Sequence, residues 1–331
     1  MAAHGGVDSR REHGVAPNPT TTFVNTPRSG PDAAPRWQRV LPTPRRLAVW
    51  STAGRSGMAA TRVIYQPRRA RARLASAVVA RAIPARWSRG ASVPKIDSIL
   101  EQAATSYVHG AAVYAREPDR WLFALMESDA RGVVVKLGRL DDDGMRHEIE
   151  TMTALARVDV PFRSAQVRWS GEIDGRLVLV TEIITRDGGR GEAGLEEALS
   201  ASCALAKTPL GFVVHGDLAP WNIVKTADGL ALVDWEASRF EEDPLFDLTH
   251  YVTRVGALIG SWKPEAAVQH LTAPGSVGWR YLEALGLDAR SAPEHVTRYL
   301  RRAAHATSTK PLRSYESAMA DVVDRRAARS R

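Results

Sequence analysis

Residues 212–248 read FVVHGDLAPWNIVKTADGLALVDWEASRFEEDPLFDL. A short apolar run, Phe212 to Val214, ends in His215-Gly216-Asp217, and Asn222 follows five positions after Asp217. Lys225 to Gly229 reads as a turn, marked by the Asp228-Gly229 pair. A second apolar run, Leu230 to Val233, ends in Asp234-Trp235. The pattern predicts two strands in a hairpin-like arrangement, each delivering polar residues at one end. Asp217 and Asn222 come from the first side and Asp234 from the second. Two carboxylates and an amide brought to one place supply hard oxygen ligands and a candidate base, as a Mg-nucleotide phosphoryl-transfer site requires.

The combination H-G-D-x4-N, then D-W, then Asp243-Pro244-Leu245-Phe246-Asp247-Leu248 resembles the catalytic segment of the aminoglycoside phosphotransferase and choline kinase superfamily. The Asp-to-Asn spacing also matches the protein-kinase catalytic loop, with Gly216 where that loop carries arginine. The resemblance covers about residues 100–250 well, 250–331 loosely and 1–95 not at all. It implies a two-lobed, protein kinase-like α+β fold with a small β-rich N-lobe and a mostly helical C-lobe. It implies an ATP- and Mg²⁺-dependent phosphotransferase acting on a small-molecule hydroxyl, with GTP not separable from ATP because the base is read by backbone. A protein kinase is disfavoured, since Trp-Glu follows Asp234 in place of Phe-Gly and no A-P-E-like segment comes after it.

Working outward, residues 106–115 and 121–126 predict strands, joined by a turn at Glu117 to Arg120. Gly132 to Leu137 reads GVVVKL, a β-branched strand. Alternation puts Val133, Val135 and Leu137 on one face and Val134 and Lys136 on the other. A lysine projecting from a core strand is costly unless it meets an anion. The alternative is an edge lysine whose stem lies along the sheet and whose head reaches water. Gly144 to Val158 predicts a helix whose apolar arc holds Met145, Ile149, Met152, Leu155 and Ala156. Glu148 falls within that arc and Glu150 outside it, so periodicity selects Glu148 as the partner of Lys136, the alternative being a hydrated rim position. By the resemblance, Lys136 anchors the nucleotide α- and β-phosphates and Glu148 orients it.

Leu177 to Ile184 resembles the strand that enters the hinge between lobes, where the backbone of Glu182 and Ile184 would meet the adenine edge. Asp217 would be the catalytic base, and Asn222 and Asp234 the Mg²⁺ ligands. His215 and Asp247 read as structural support for the loop. Trp221 is either a packing residue or a platform for a substrate ring. Asp187 to Gly194 reads as a linker, Leu195 to Lys207 as a helix, and the remainder as helices near 248–261, 263–270, 276–286, 293–306 and 312–328.

Three departures from the family pattern narrow the substrate reading. No G-x-G-x-x-G precedes Lys136, and only Gly110 is available. The interval from Glu182 to His215 is short, so the C-terminal helices must supply more of the acceptor site. Ala219 stands where many relatives carry histidine. The acceptor class stays broad: a sugar, an amino alcohol, an aminoglycoside-like molecule or a glycan precursor.

Charge is unevenly spread. Residues 1–95 hold 17 Lys and Arg against 3 Asp and Glu, whereas the other 236 residues hold 28 against 34. Residues 1–36 predict a disordered tail, 37–95 a partly ordered Arg-rich extension, 96–184 the N-lobe and hinge, and 185–331 the helical C-lobe. The basic arm is either a compositional bias or a weak contact for nucleic acid or an anionic membrane surface. That leaves a second functional class open: a nucleotide-binding pseudokinase or regulatory module. Cys203 is the single cysteine, so no disulfide forms within the chain, which suits a cytoplasmic setting. Arg45-Arg46 does not read as an export signal, because the apolar stretch after it is too short.

Overall fold

The computed structural model describes residues 37–39, 47–52, 60–61, 63–64, 93–115, 119–127, 131–186, 193–240, 243–305 and 309–329, the first two stretches by backbone alone. All belong to one compact unit, Pro35–Arg331. The tail expected over 1–36 lies outside the described residues, as does most of the Arg-rich stretch.

A seven-stranded antiparallel sheet comes first. Its strands are β1 (Trp37–Arg39), β2 (Leu47–Thr52), β3 (His109–Ala115), β4 (Arg120–Met126), β5 (Gly132–Arg139), β7 (Val167–Ile173) and β8 (Arg176–Glu182). Their order is β1-β2-β3-β4-β5-β8-β7. The basic extension thus contributes to the sheet, since Leu47 to Ser51 pair with Ala115 to Ala111.

The two faces of the sheet separate as alternation requires. Val133, Val135 and Leu137 are buried with Phe123, Leu125, Val178 and Val180 beneath the short helix α1 (Asp97–Gln102). Leu177 and Leu179, on the opposite face, join the large core that runs into the helical half. Lys136 pairs with Leu179 across β5 and β8, so it stands on that second face.

Helix α2 (Asp143–Leu155) packs there. It starts where the Asp142 side chain accepts from the Met145 amide at 3.0 Å, satisfying one N-terminal donor. Its buried residues are Met145, Glu148, Thr151, Met152 and Leu155. They recur at helical spacing, whereas Glu150 is exposed.

After the sheet come α3 (Leu195–Ala206), which carries half-buried Cys203, and a set of short strands. Here the hairpin expectation needs correction. The strand that pairs with the second apolar run is β10 (Ile223–Thr226), against β11 (Gly229–Leu232). Ile223, Val224 and Thr226 are β-branched and reach the turn directly, so they close the shorter loop. Val213–Val214 (β9) pairs instead with Arg239–Phe240 (β12). The two-residue β6 (Arg163–Ser164) runs parallel to β11.

The rest is helical: α4 (Phe246–Arg254), continued by a π-helical segment Val255–Ile259, then α5 (Pro264–Thr272), α6 (Val277–Ala284), α7 (Ala292–His305) and α8 (Lys310–Arg329). The fold is therefore α+β, an antiparallel sheet followed by a helical half. Among the described residues no helix is long and apolar enough to cross a membrane.

Candidate active site

Lys136 and Glu148 meet. The Lys136 ammonium donates to Glu148 Oε1 at 2.7 Å and Oε2 at 2.8 Å, and to Asp234 Oδ1 at 2.8 Å. Glu148 is 2% exposed and also accepts from the Trp235 amide at 3.3 Å. One strand, one helix and one loop thus converge on a single cation. Burial works against charge on Lys136, but Asp234 and Glu148 outweigh it and hold its pKa above the ordinary range. Lys136 in turn, against burial, keeps Asp234 below the usual carboxylate range. Asp234 has φ +72°, a left-handed conformation that aspartate tolerates better than most residues. Strain of this kind clusters where a side chain must be aimed.

Asp217 and Asn222 meet in the loop after β9. The Asn222 amide nitrogen donates to the Asp217 carbonyl at 2.8 Å and to Asp217 Oδ2 at 3.1 Å. That orientation turns the Asn222 amide oxygen the other way. Gly216 has φ +82°, and a Cβ there would lie 1.9 Å from the Ala237 carbonyl oxygen. Arginine, which the kinase loop carries at this position, cannot occupy it in this backbone.

Asp247, at the start of α4, accepts from the amides of His215 at 2.7 Å and Gly216 at 2.9 Å. Burial pushes its carboxyl up to about 7, opposed by those two amides. His215 is fully buried against Trp235, ring centroids 4.8 Å apart, and its Nε2 faces the Val233 carbonyl at 3.1 Å. Burial lowers its pKa, so it stays neutral. Asp247 therefore grips the backbone just before Asp217, and His215 ties that segment to the backbone just before Asp234. Trp221, in the same loop as Asn222, is half-buried. At the end of β8 the Glu182 amide donates to the Gln166 carbonyl at 2.9 Å and its carboxylate pairs with Arg163 at 3.0 Å. Any contact from Glu182 to a base edge therefore falls to its carbonyl. Ile184 lies just beyond the strand.

Sequence reasoning missed the second set of contacts on Asp217. His250 Nε2 lies 2.9 Å from Asp217 Oδ1, and Arg254 Nη2 lies 3.5 Å from the same oxygen. Burial works against the Asp217 carboxylate, but the hydrogen bond with His250 and the charge of Arg254 outweigh it and hold its pKa below the ordinary range. His250 and Arg254 follow Asp247 at three and seven positions on one helix. That helical spacing was the available clue. Arg120 was missed as well. It binds both Asp142, the cap of α2, and Glu236. It thereby ties the helix that carries Glu148 to the loop that carries Asp234.

The donor set suits Mg²⁺. Asn222 and Asp234 offer oxygen, and Mg²⁺ takes few protein ligands beside phosphates and water. Among the described residues no three His, Cys, Asp or Glu side chains form a metal-binding group.

No protein-family model and no curated sequence matches the chain. Solved structures similar to it belong to the aminoglycoside phosphotransferase and protein kinase-like superfamily. WbdD, crystallised with the kinase inhibitor LY294002, is 17% identical over 50% of this chain and 42% of its own, with a TM-score of 0.36. A fructosamine-3-kinase homologue from Haemophilus somnus 129PT is 13% identical over 69% of this chain and 94% of its own, with a TM-score of 0.40. The amicoumacin kinase hAmiN, in complex with AMP-PNP, Ca²⁺ and Ami, is 12% identical over 70% and 94%, with a TM-score of 0.41. The chain spans about two fifths of the length of the WbdD chain in the inhibitor complex.

Proposed function

We propose that the chain is a phosphotransferase that moves the γ-phosphoryl group of ATP to a hydroxyl of a small molecule, and that it belongs to the aminoglycoside phosphotransferase and choline kinase superfamily. One observation carries the reading. Five polar side chains, drawn from positions 136, 148, 217, 222 and 234, form two adjoining hydrogen-bonded groups. One group is built around a cation and the other around a carboxylate. Phosphoryl transfer asks the protein mainly for positioning and charge neutralisation.

Each residue has a task in that chemistry. Asp217, ionised at neutral pH, accepts the hydrogen bond of the attacking hydroxyl and takes its proton as the new P–O bond forms. Lys136, held charged by Glu148 and Asp234, faces the α- and β-phosphates. Asn222 and Asp234 would hold Mg²⁺, which when bound would offset phosphate charge. The amide of Asn222 supplies an oxygen there without adding a further anion to repel the phosphates. The carbonyl of Glu182 and the backbone of Ile184 receive the base edge, which leaves ATP and GTP alike. His215 and Asp247 keep the loop of Asp217 rigid, and Trp221 offers a ring face to the acceptor.

The test is nucleotide consumption by the full chain with Mg²⁺ against pooled aminoglycosides, amino alcohols, monosaccharides, nucleosides and cell extract. Turnover stimulated by one pool and removed by Asp217→Ala supports the proposal and narrows the acceptor. Nucleotide binding with no turnover in any pool would favour a pseudokinase. Contact of the basic residues 1–95 with nucleic acid or anionic lipid is a separate proposal. It predicts salt-sensitive retention on DNA or anionic vesicles that is lost when those residues are removed.

A further inference from the structure

The proposed reaction asks most of Asp217, yet a carboxylate on a loop can rotate. What reaches it from the helical half is a chain of two rings. His250 Nε2 lies 2.9 Å from Asp217 Oδ1, and on the far side of the imidazole the Tyr299 hydroxyl lies 3.0 Å from Nδ1. His250 is 7% exposed and Tyr299 5%. Phe246, one turn earlier on α4, stacks on the imidazole at 6.0 Å and 13°, and Tyr299 meets Phe246 edge-on at 5.1 Å. The rings pack one another, so the imidazole is fixed in place.

Proton positions follow from counting. Burial holds the His250 pKa below its ordinary value, so the ring is neutral and carries one proton. An ionised oxygen 2.9 Å from Nε2 requires that proton to lie between them. Nδ1 must then accept, and Tyr299, whose hydroxyl burial keeps protonated, is the donor. There is a competing arrangement. Arg254 Nε is 3.0 Å from the same Nε2. If Nε2 accepted from Arg254, the imidazole proton would sit on Nδ1 and Asp217 would face a lone pair. The Asp217 carboxylate only accepts, which favours the tautomer that holds it, and the Tyr299 hydroxyl, able to donate or to accept, supports that tautomer by donating to Nδ1.

We infer that Tyr299 and His250 are a positioning pair for Asp217. Tyr299 donates to Nδ1 and so supports the Nε2–H tautomer of His250, and Nε2–H holds Oδ1 so that Oδ2, beside Asn222, takes the proton of the acceptor. The inference rests on the reading of Asp217 as the base. Neither ring touches the acceptor.

The test combines imidazole ¹⁵N NMR of the full chain with steady-state kinetics. The wild type should show His250 as the Nε2–H tautomer. Tyr299→Phe, which keeps the ring and its packing, should shift it toward Nδ1–H. The same variant should lower kcat about tenfold with nucleotide KM unchanged, the size expected for a misplaced base. His250→Gln places an amide donor near Nε2 without needing a tautomer. It should retain much of the turnover, and Tyr299→Phe added to it should cost nothing further. An Nδ1–H tautomer in the wild type overturns the inference and leaves phosphoryl transfer standing. So does a Tyr299→Phe variant with normal kcat. An Nε2–H tautomer lost in Tyr299→Phe, in a chain that never turns over nucleotide, keeps the hydrogen-bonded chain and overturns the kinase reading instead.

Discussion

The two ends of the candidate site are built on opposite principles. Around Lys136 one cation sits between two carboxylates. The geometry is held by charge, and each partner is costly to leave alone. Around Asp217 the partners are an amide, a neutral imidazole and, farther off, Arg254. There the geometry is held by the direction of hydrogen bonds and by packed rings. The first end suits a task of neutralising phosphate charge and the second a task of aiming one oxygen. If that contrast is right, the two ends should fail differently when cut.

The largest effect belongs to the aiming end. Asp217→Ala should reduce acceptor-dependent turnover by about 10²–10⁴-fold, the usual range for losing a general base, with nucleotide affinity close to the parent. Kinetics and equilibrium binding on the same sample check it. At the charged end the loss should include stability. Lys136→Met leaves Glu148 as an uncompensated buried charge, at a cost on the order of 3–5 kcal/mol. The double change Lys136→Met with Glu148→Leu should recover much of the melting temperature and none of the activity. Recovery of both would remove Lys136 from the chemistry.

A third cut falls outside the site. Strand β2 pairs with β3 through five register positions. Removing residues 1–95 bares an edge of the sheet. The 96–331 chain should melt earlier than the full chain and be more prone to associate.

The smallest expected effect is a pH dependence. Asp247 has its carboxyl pushed up to about 7 by burial. A carboxyl raised in the folded state contributes stability that is fully present below its ordinary value of about 4. That contribution is lost as pH rises through 7. The stability of the parent relative to Asp247→Asn should therefore fall between about pH 4 and about pH 7 in denaturant titrations. A flat difference would mean that the amides of His215 and Gly216, not burial, set its charge.

Much of the charged end was legible in the sequence because local periodicity determines it. Alternation in GVVVKL put Lys136 on the face opposite Val133 and Val135, and the 3.6-residue repeat chose Glu148 over Glu150. The helix boundaries after residue 246 also came within a few positions, where Pro264 and the residues around Gly286 break the pattern. The aiming end was legible only at Asp217 and Asn222, through their spacing. His250 and Tyr299 lie 33 and 82 positions after Asp217. Their meeting depends on how α7 packs on α4, which no local repeat encodes. The hairpin was misjudged for a related reason. The turn at Asp228-Gly229 was read, but two apolar runs competed for the strand before it, and the nearer, β-branched one closes the smaller loop.

The measurement closest to the central claim is Mg-dependent ATP consumption by the full chain and by Asp217→Ala, with nucleotide binding measured on both. Consumption stimulated by an acceptor pool in the parent, absent in the variant while both bind nucleotide, is the predicted result. Equal consumption by the two chains would contradict the account, because Asp217 would then have no part in the transfer.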